Sequence, residues 1–426
     1  MNALQLYQII RFSTTLLIGI LLIRFFGLST TEVSIYELLL FLGNFVSFFW
    51  LSAGQKSFLT LFPSYAEPQK RSLLFNLFLL LFGFAAIAAA LLYFGQELLV
   101  QQLTSYESLP YISLLAWYLL LNTPAQIIEY IYVLKKQDRQ LVIYGILIHS
   151  LQLVAIVFPI STGMGLEGVF QGLVLWSLLK FFWLWYLLYQ YGSFELDTSL
   201  QKKVLLIMLP LSLHALLGGG MEYVDGFIVS SHFKEEKMFA LFRYGARELP
   251  IVSILVSALV ATMIPLAVEK ESQAISNIKK KIRQLSNWLY PITIFLMLLS
   301  PFLFPFVYNE EFSLSSKVFN IYLLVISSRI LLPQVLIYSR QHNYALVTSA
   351  IIELIINLSL SLYWVQLYGL EGIAFATLVA YMVNKILLMG YVHFSMGIPI
   401  SQYLHIKNYI LWNFILVGVF ILTYSF

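Results

Sequence analysis

Thirteen apolar runs, each about 20 residues long, follow one another along the chain and are joined by polar connections. A run of that length can cross a bilayer as a helix, which satisfies all its backbone polar groups internally. Hydrophobic residues make up 60% of the chain and charged residues 11%, against roughly 25% charged in soluble domains. The sequence therefore predicts an all-α polytopic membrane protein. The predicted spans are residues 7–26, 33–53, 73–94, 111–134, 141–160, 169–189, 204–229, 238–265, 285–307, 318–338, 345–365, 373–394 and 406–424.

An internal repeat organises these runs. The tetrapeptide Gly-Leu-Glu-Gly at 165–168 recurs at 369–372, an offset of 204 residues. Gln137 and Gln341 stand at the same offset, and Lys180 and Lys385 are one step out of that register. A shared offset near half the chain length indicates a duplication. The tetrapeptide itself is predicted to be structural, since glycine permits positive φ and close packing and a glutamate suits a helix N-terminus.

Each half contains six spans, an even number, so both halves cross the membrane in the same sense. This predicts two parallel six-helix repeats related by an axis along the membrane normal, an arrangement that transporters use for alternating access. The predicted domains are a first bundle at 1–190, a cytoplasmic linker at 191–203, a second bundle at 204–394, and a connection with a thirteenth helix at 395–426.

The basic residues of the loops predict the orientation. Alternate loops carry 14 bases and the intervening loops three, and basic loops stay in the cytoplasm. This predicts a multi-pass protein of the bacterial inner membrane with a cytoplasmic N-terminus. The most basic loop, 269–283, could be an amphipathic surface helix, but we favour a topology signal that also attracts anionic lipid.

Several classes of chemistry lack their motifs. The chain has no cysteine, so it offers no disulfide or thiolate site. It contains no phosphate-binding Gly-Lys-Thr loop, zinc motif or serine-elbow motif. No loop is long enough for a catalytic domain. We therefore expect no enzyme activity, catalytic residue, cofactor or metal site, and no nucleic-acid partner.

A belt of charges lies toward the outer ends of spans one, two, seven and eight, where each charge is costly. Acids and bases on neighbouring spans could form a structural ion-pair cluster. Because spans seven and eight are the repeat partners of one and two, we favour an outer gate, with the acids gating or coupling an ion. The belt comprises Arg24, Glu37, Glu222, Asp225, Arg243, Arg247 and Glu248.

Deeper charges also fall at equivalent positions. Lys180 and Lys385 lie near mid-span, where a lysine could bind a phosphate as a point charge or extend to the interface. His149 and Glu353 correspond in the same way. The glycines at 218–220 predict a break in span seven, which could serve packing or a hinge, and prolines at 124 and 333 predict kinks.

The duplicated halves, the repeated tetrapeptide, and the stretch from Pro210 through Asp225 to Arg243-Tyr244-Gly245 resemble the MOP (multidrug/oligosaccharidyl-lipid/polysaccharide) exporter superfamily. Within it the chain looks most like the Wzx-type flippases of undecaprenyl-diphosphate-linked oligosaccharides. The resemblance implies a cavity lined by spans one, two, seven and eight, and a cationic lumen for the diphosphate. The bases assigned to that cavity are Arg24, Lys56, Lys180, Arg243, Arg247 and Lys385.

The resemblance implies a flippase that serves surface polysaccharide biosynthesis. Its partners would be the lipid-linked oligosaccharide, membrane lipids, and a polysaccharide polymerase with its glycosyltransferases. Two alternatives remain: a cation-coupled drug exporter of the MATE type, and a membrane glycosyltransferase or polymerase that acts on the same carrier. Intramembrane bases disfavour organic cations, and short outer loops disfavour a catalytic role.

Overall fold

The computed structural model describes residues 3–104, 106, 108–247 and 249–424, and its regular structure within those ranges is helical, without a strand. The first nine α-helices are α1 (Ala3–Ile20), α2 (Thr30–Leu61), α3 (Glu67–Phe94), α4 (Gln96–Leu103), α5 (Ile112–Ala125), α6 (Ile128–Leu134), α7 (Asp138–Ser161), α8 (Gly165–Tyr191) and α9 (Thr198–His232). The next nine are α10 (Lys237–Gly245), α11 (Pro250–Glu269), α12 (Glu271–Val307), α13 (Ser313–Leu323), α14 (Ile326–Arg329), α15 (Pro333–Ser339), α16 (Asn343–Phe394), α17 (Ile400–Tyr403) and α18 (Ile406–Tyr424).

Nine helices in the described ranges are long and apolar enough to cross a membrane, and the bent pair Glu310–Arg329 and Pro333–Ser339 makes a tenth if it counts as one span. The difference from the thirteen predicted runs has a local cause. The spans predicted at 111–134, 238–265 and 318–338 are each divided among shorter helices. Those predicted at 345–365 and 373–394 are joined in the 52-residue helix α16.

Both halves repeat the same unusual backbone conformations. Gly165 and Gly369 have φ of 64° and 60° at the two copies of the tetrapeptide. Lys136 and Gln341, 205 residues apart, have φ of 56° and 59°. Non-glycine residues rarely adopt positive φ, so its recurrence at equivalent positions supports the predicted duplication. At Gly369, this conformation interrupts α16.

The last glycine of each tetrapeptide allows close packing. A Cβ on Gly372 would lie 2.2 Å from the Trp364 carbonyl oxygen, and one on Gly168 would lie 2.5 Å from the Met164 Cβ. Real Cβ atoms do not approach other atoms so closely. The structural role predicted for the tetrapeptide is therefore confirmed.

Prolines and glycines affect the helices differently. Pro333 begins α15, at a bend of 44°, and Pro124 lies in the last turn of α5. The break predicted at the glycine triplet is wrong, since α9 is continuous from Thr198 to His232. A Cβ on Gly219 would lie 3.0 Å from the Phe48 ring, so close packing explains at least this glycine.

A π-helix of five residues, Leu21–Phe25, extends α1 and carries Arg24. The next helix, α2, begins with a capping box in which the Ser29 hydroxyl accepts from the Glu32 N–H and the Glu32 carboxylate accepts from the Ser29 N–H. Such a box fixes a helix start by satisfying two otherwise unpaired donors. The π-helix and the capping box thus define the connection between spans one and two.

The chain forms two compact units. The first comprises Met1–Tyr223 and Ser230–Ala240, and the second comprises Val224–Val229 and Leu241–Phe426. The predicted linker at 191–203 lies in the first unit, where Asn76 Nδ2 donates to the Glu195 carbonyl and Asn76 Oδ1 accepts from the Asp197 N–H, both at 3.0 Å. The domain limits drawn from the repeat stay a prediction.

Candidate functional site

Asp225 lies in a polar pocket of the second unit. Its carboxylate accepts hydrogen bonds from Thr377 Oγ1 at 2.6 Å, Asn357 Nδ2 at 3.1 Å and Tyr322 Oη at 3.3 Å. Ser361 Oγ completes the set at 3.5 Å. The residue is 2% exposed. All four donors are neutral, so a buried carboxylate is here solvated by side chains instead of by a base.

The backbone explains how these donors converge. Asn357 and Ser361 are four residues apart on α16 and therefore share a helix face. Thr377 lies on the part of α16 beyond the Gly369 break, which returns the chain toward Asp225. The neighbouring bond from Asn357 Nδ2 to Thr377 Oγ1, at 3.1 Å, fixes both side chains. The pocket thus depends on the non-helical residue Gly369.

One atom of this pocket is unsatisfied. Asn357 Oδ1 is buried and has no hydrogen-bond partner in the described structure. The Asp225 carboxylate and the hydroxyls of Thr377 and Ser361 give a set of oxygen atoms, the ligand type that hard cations prefer. Among the described residues, no group of three or more His, Cys, Asp or Glu side chains could hold a metal. One carboxylate among neutral hydroxyls matches the charge of a single monovalent cation or a proton.

The other members of the predicted belt are more accessible. Arg243 and Arg247 are half-buried, and the Arg247 guanidinium lies 4.4 Å from the centre of the Tyr244 ring. Glu37 is half-buried on α2, and Glu222 is exposed on α9. Glu248 lies outside the described residues. The ion-pair alternative does not describe Asp225, whose carboxylate accepts from four neutral donors.

Two predicted bases are exposed on the first unit. Arg24 is exposed on the π-helix that extends α1, and Lys56 is exposed on α2, next to the buried Ser57 and Phe58. The assignment of both bases to a substrate cavity stays a prediction.

Lys180 is withdrawn instead. It is 6% exposed, and its ammonium donates to Asn122 Oδ1 at 2.6 Å and lies 4.6 Å from the centre of the Trp176 ring. Both contacts stabilise a cation without cancelling its charge. The helices α5 and α8 hold these groups inside the first unit.

A second buried group surrounds Glu129. This residue is 4% exposed, and its Oε2 lies 3.7 Å from Arg11 Nη1, within ion-pair distance but beyond a hydrogen bond. His149 Nδ1 is 3.0 Å from Gln152 Oε1, and its ring lies 5.5 Å from that of Tyr7. Nδ1 of His149 is thus partnered on its own helix, while its buried Nε2 has no hydrogen-bond partner in the described structure.

The second unit holds an equivalent lysine. Lys385 is half-buried and donates to Gln334 Oε1 at 2.9 Å, as Lys180 donates to Asn122. Glu353 is half-buried on the same long helix, and the Arg329 guanidinium lies 4.0 Å from the centre of the Tyr381 ring. Each unit therefore gives its deep lysine a neutral amide partner.

The neutral members of these sites were not predicted from the sequence. Asn357, Ser361 and Thr377 carry no charge, so the cost of burying a charge does not mark them. The four-residue spacing of Asn357 and Ser361 was visible, but small polar residues are common between transmembrane helices. No sequence pattern indicated that Asn122 or Gln334 would accept a hydrogen bond from a lysine.

Comparisons with known proteins identify the fold. No protein-family model matches the chain, and a search of curated proteins found no match either. Among solved structures, "Lipid II flippase MurJ, inward closed conformation" has a TM-score of 0.68 and 17% identity, covering 99% of this chain and 97% of that one. An inward-facing MATE family multidrug resistance transporter of the MOP superfamily scores 0.67 at 14% identity, covering 93% and 95%. A MOP superfamily transporter from Pyrococcus furiosus scores 0.64 at 14%, covering 93% and 94%. The chain therefore has the polytopic fold of MOP superfamily transporters, as predicted.

Proposed function

We propose that the protein is a flippase that moves undecaprenyl-diphosphate-linked oligosaccharide from the cytoplasmic to the outer leaflet of the inner membrane. It works by alternating access and serves the synthesis of O-antigen, capsule or exopolysaccharide. Likeness to a lipid II flippase over 99% of the chain supports a lipid-linked substrate. Membrane glycosyltransferases would supply that substrate, and a polysaccharide polymerase would consume it.

The unequal exposure of the intramembrane charges carries the proposal. Arg24 and Lys56 are exposed, whereas the carboxylate of Asp225 is withdrawn and accepts from four donors. Accessible cations attract a diphosphate, and a transported organic cation would need an accessible acid. Among the described acids of the belt, Glu222 is the exposed one, and it is therefore included in the test.

We assign headgroup binding to Arg24 and Lys56 in the first unit and to Arg243 and Arg247 in the second. We assign no direct substrate contact to Lys180 and Lys385, because each already donates to a neutral amide. They raise the local positive potential without touching the substrate. The gating role of Glu37, Glu222 and Glu248 stays a prediction.

We assign ion coupling to Asp225. The carboxylate and the two hydroxyls would together hold a sodium ion, or the carboxylate alone a proton. Ion binding to the folded protein raises its stability by mass action. Sodium in place of potassium should therefore raise the unfolding temperature of the wild type and not of Asp225→Asn. Proton coupling would instead give a pH response that Asp225→Asn abolishes.

A strain depleted of the protein tests whether it acts as a flippase. Loss of the protein should leave undecaprenyl-diphosphate-linked repeat units on the cytoplasmic leaflet and abolish the surface polymer. Normal polymer would contradict the proposal. Repeat units that cross the membrane but stay unpolymerised would also contradict it, and would favour a polymerase.

Charge variants test whether the substrate is anionic or cationic. Arg24→Gln and Lys56→Gln should each reduce surface polymer, since a cation that meets the diphosphate is removed, while Glu222→Gln should preserve it. Arg139→Gln, which neutralises an exposed base at the start of α7, is the matched control. If Glu222→Gln abolishes drug resistance and both basic variants behave as wild type, the drug-exporter alternative is correct.

A further inference from the structure

The first turns of α12 form an amphipathic helix, although this segment was predicted mainly as a topology signal. Ala274, Ile278 and Ile282 recur every four residues and are buried. They belong to one apolar cluster with Tyr403 and Leu404, which come from α17 and the residue that follows it. One face of the helix is thus fixed on the chain's own C-terminal connection.

The other face is basic. Lys280 and Arg283 are exposed on it, and Lys281 is exposed at the edge of the buried face. Lys279 is partly withdrawn and donates to the Ser401 carbonyl oxygen at 2.5 Å, which ties the helix to α17. Three cations in four residues therefore remain available to an external anion.

The nearby acid Glu271 does not neutralise the basic face, because it pairs with Arg340. The Glu271 carboxylate accepts two hydrogen bonds from Arg340, at 2.6 Å from Nη2 and 2.8 Å from Nε. A bidentate pair of this kind uses both carboxylate oxygens. Arg340 also donates to the Met396 carbonyl at 3.2 Å, so the pair fastens the connection between α16 and α17.

The thirteenth predicted span brings a further base to this face. Lys407 is exposed in the first turn of α18. His405 lies beside Lys279 and Arg283. Partial burial of its imidazole lowers the pKa, and the positive charges of Lys279 and Arg283 lower that pKa further. Further along, Trp412 stacks on Tyr290 with ring centres 5.7 Å apart, so α18 packs against α12.

Two tryptophans give the depth of these bases. Trp288 follows Arg283 by five residues and is 75% exposed, and Trp412 follows Lys407 by five residues. Five residues of helix span about 7.5 Å. Tryptophan is enriched at the level of the lipid headgroups. The bases of both helices therefore lie on the water side of that level, within reach of lipid phosphates.

We propose that Lys280, Lys281, Arg283 and Lys407 form a site for the phosphate of an anionic phospholipid. The two helices supply cations at matched depth, and the apolar surface beyond the tryptophans faces the acyl chains. The occupant is a bilayer phospholipid, because the site opens at the level where the leaflet presents phosphates continuously. This assigns a role to α18, and it does not depend on what the protein transports.

Lipid retention by the purified full-length protein tests the site. Native mass spectrometry should show that wild type retains phosphatidylglycerol in preference to phosphatidylcholine from mixed micelles. The variant Lys280→Gln/Lys281→Gln/Arg283→Gln should retain phosphatidylglycerol about tenfold less, as expected for the loss of several bases near a lipid surface. Arg139→Gln/Lys202→Gln/Lys203→Gln removes three exposed bases elsewhere and should match wild type.

Three results would overturn the proposal. They are equal retention of the two lipids by wild type, equal loss in the control variant, and displacement of phosphatidylglycerol by soluble pyrophosphate, which would mark a diphosphate site. If the triple variant fails to fold, Lys407→Gln provides the second test. It should reduce phosphatidylglycerol retention and the quenching of Trp412 fluorescence by a spin-labelled anionic lipid, and no change in either would reject the site.

Discussion

The Thr377 hydroxyl donates a 2.6 Å hydrogen bond to the Asp225 carboxylate from 152 residues further along the chain. A hydrogen bond to a charged group contributes roughly 1.5–3 kcal/mol. Thr377→Val should therefore lower the unfolding free energy by about 2 kcal/mol in detergent, and Thr377→Ser, which keeps the hydroxyl, should lose much less. Thermal unfolding measures both. Equal stability of the two variants would show that the hydroxyl does not stabilise Asp225.

Asn122 and Lys180 should behave non-additively. Asn122→Leu leaves a buried ammonium without its amide partner and should cost about 2–3 kcal/mol. Lys180→Met removes the charge but leaves the buried Asn122 Oδ1 without its donor, and should cost about 1–3 kcal/mol. The double variant, which removes both partners, should cost less than the sum of the single changes. Strictly additive unfolding free energies would exclude this coupling.

Gly372 should not tolerate alanine. A Cβ there would overlap the Trp364 carbonyl oxygen, whereas one at Gly390, on the same helix, would meet open space. We expect Gly372→Ala to cost about 1–3 kcal/mol and Gly390→Ala to be neutral or stabilising. The unfolding free energies of the two purified variants measure this difference in stability directly. A tolerated Gly372→Ala would contradict the close packing at the second tetrapeptide.

Membrane orientation can be tested with single cysteines, since the chain has none of its own. Ser313→Cys should react with an impermeant thiol reagent added outside intact cells. Gln69→Cys and Ser272→Cys should react only after the cells are opened. All three positions are exposed, so access to the residue itself is not limiting. Labelling of Gln69→Cys from outside would invert the predicted topology.

The His405 imidazole should titrate below its ordinary pKa of 6.5, because partial burial and the charges of Lys279 and Arg283 disfavour its protonation. The unfolded chain then binds more protons in this window. The contribution of His405 to stability is therefore complete above pH 6.5 and is lost as pH falls through the lower, folded pKa. Histidine NMR, with His405→Gln for assignment, measures it. Phosphatidylglycerol should raise that pKa, and a value at or above 6.5 without lipid would contradict the geometry.

Hydrophobic run length and the repeat were enough to predict the fold class. The first glycine of each tetrapeptide, Gly165 and Gly369, adopts the positive φ that the repeated glycines suggested, because few other residues tolerate that conformation. The subdivision of spans was harder to predict. The end of α5 after Pro124 follows from a local rule, but the continuity of α9 through three glycines depends on helix packing, including the contact of Gly219 with Phe48.

The candidate site was predicted only in part. The sequence identified Asp225 because a charge in an apolar run is unusual. Its partners Asn357 and Thr377 are ordinary polar residues, and only the tertiary fold brings them to the carboxylate. The same holds for Lys180. Its depth was predicted, but its hydrogen bond to Asn122 depends on the tertiary fold and was not.

The π-helix Leu21–Phe25 changes how Arg24 must be placed. An α-helix advances by about 100° per residue, and a π-turn accommodates one surplus residue without shifting the helix that precedes it. A helical wheel drawn from Tyr7 would therefore misplace the Arg24 side chain by about 100°. Deleting one residue of this turn should restore the α-helical register and rotate the guanidinium to another face, while every residue of α1 before it keeps its packing.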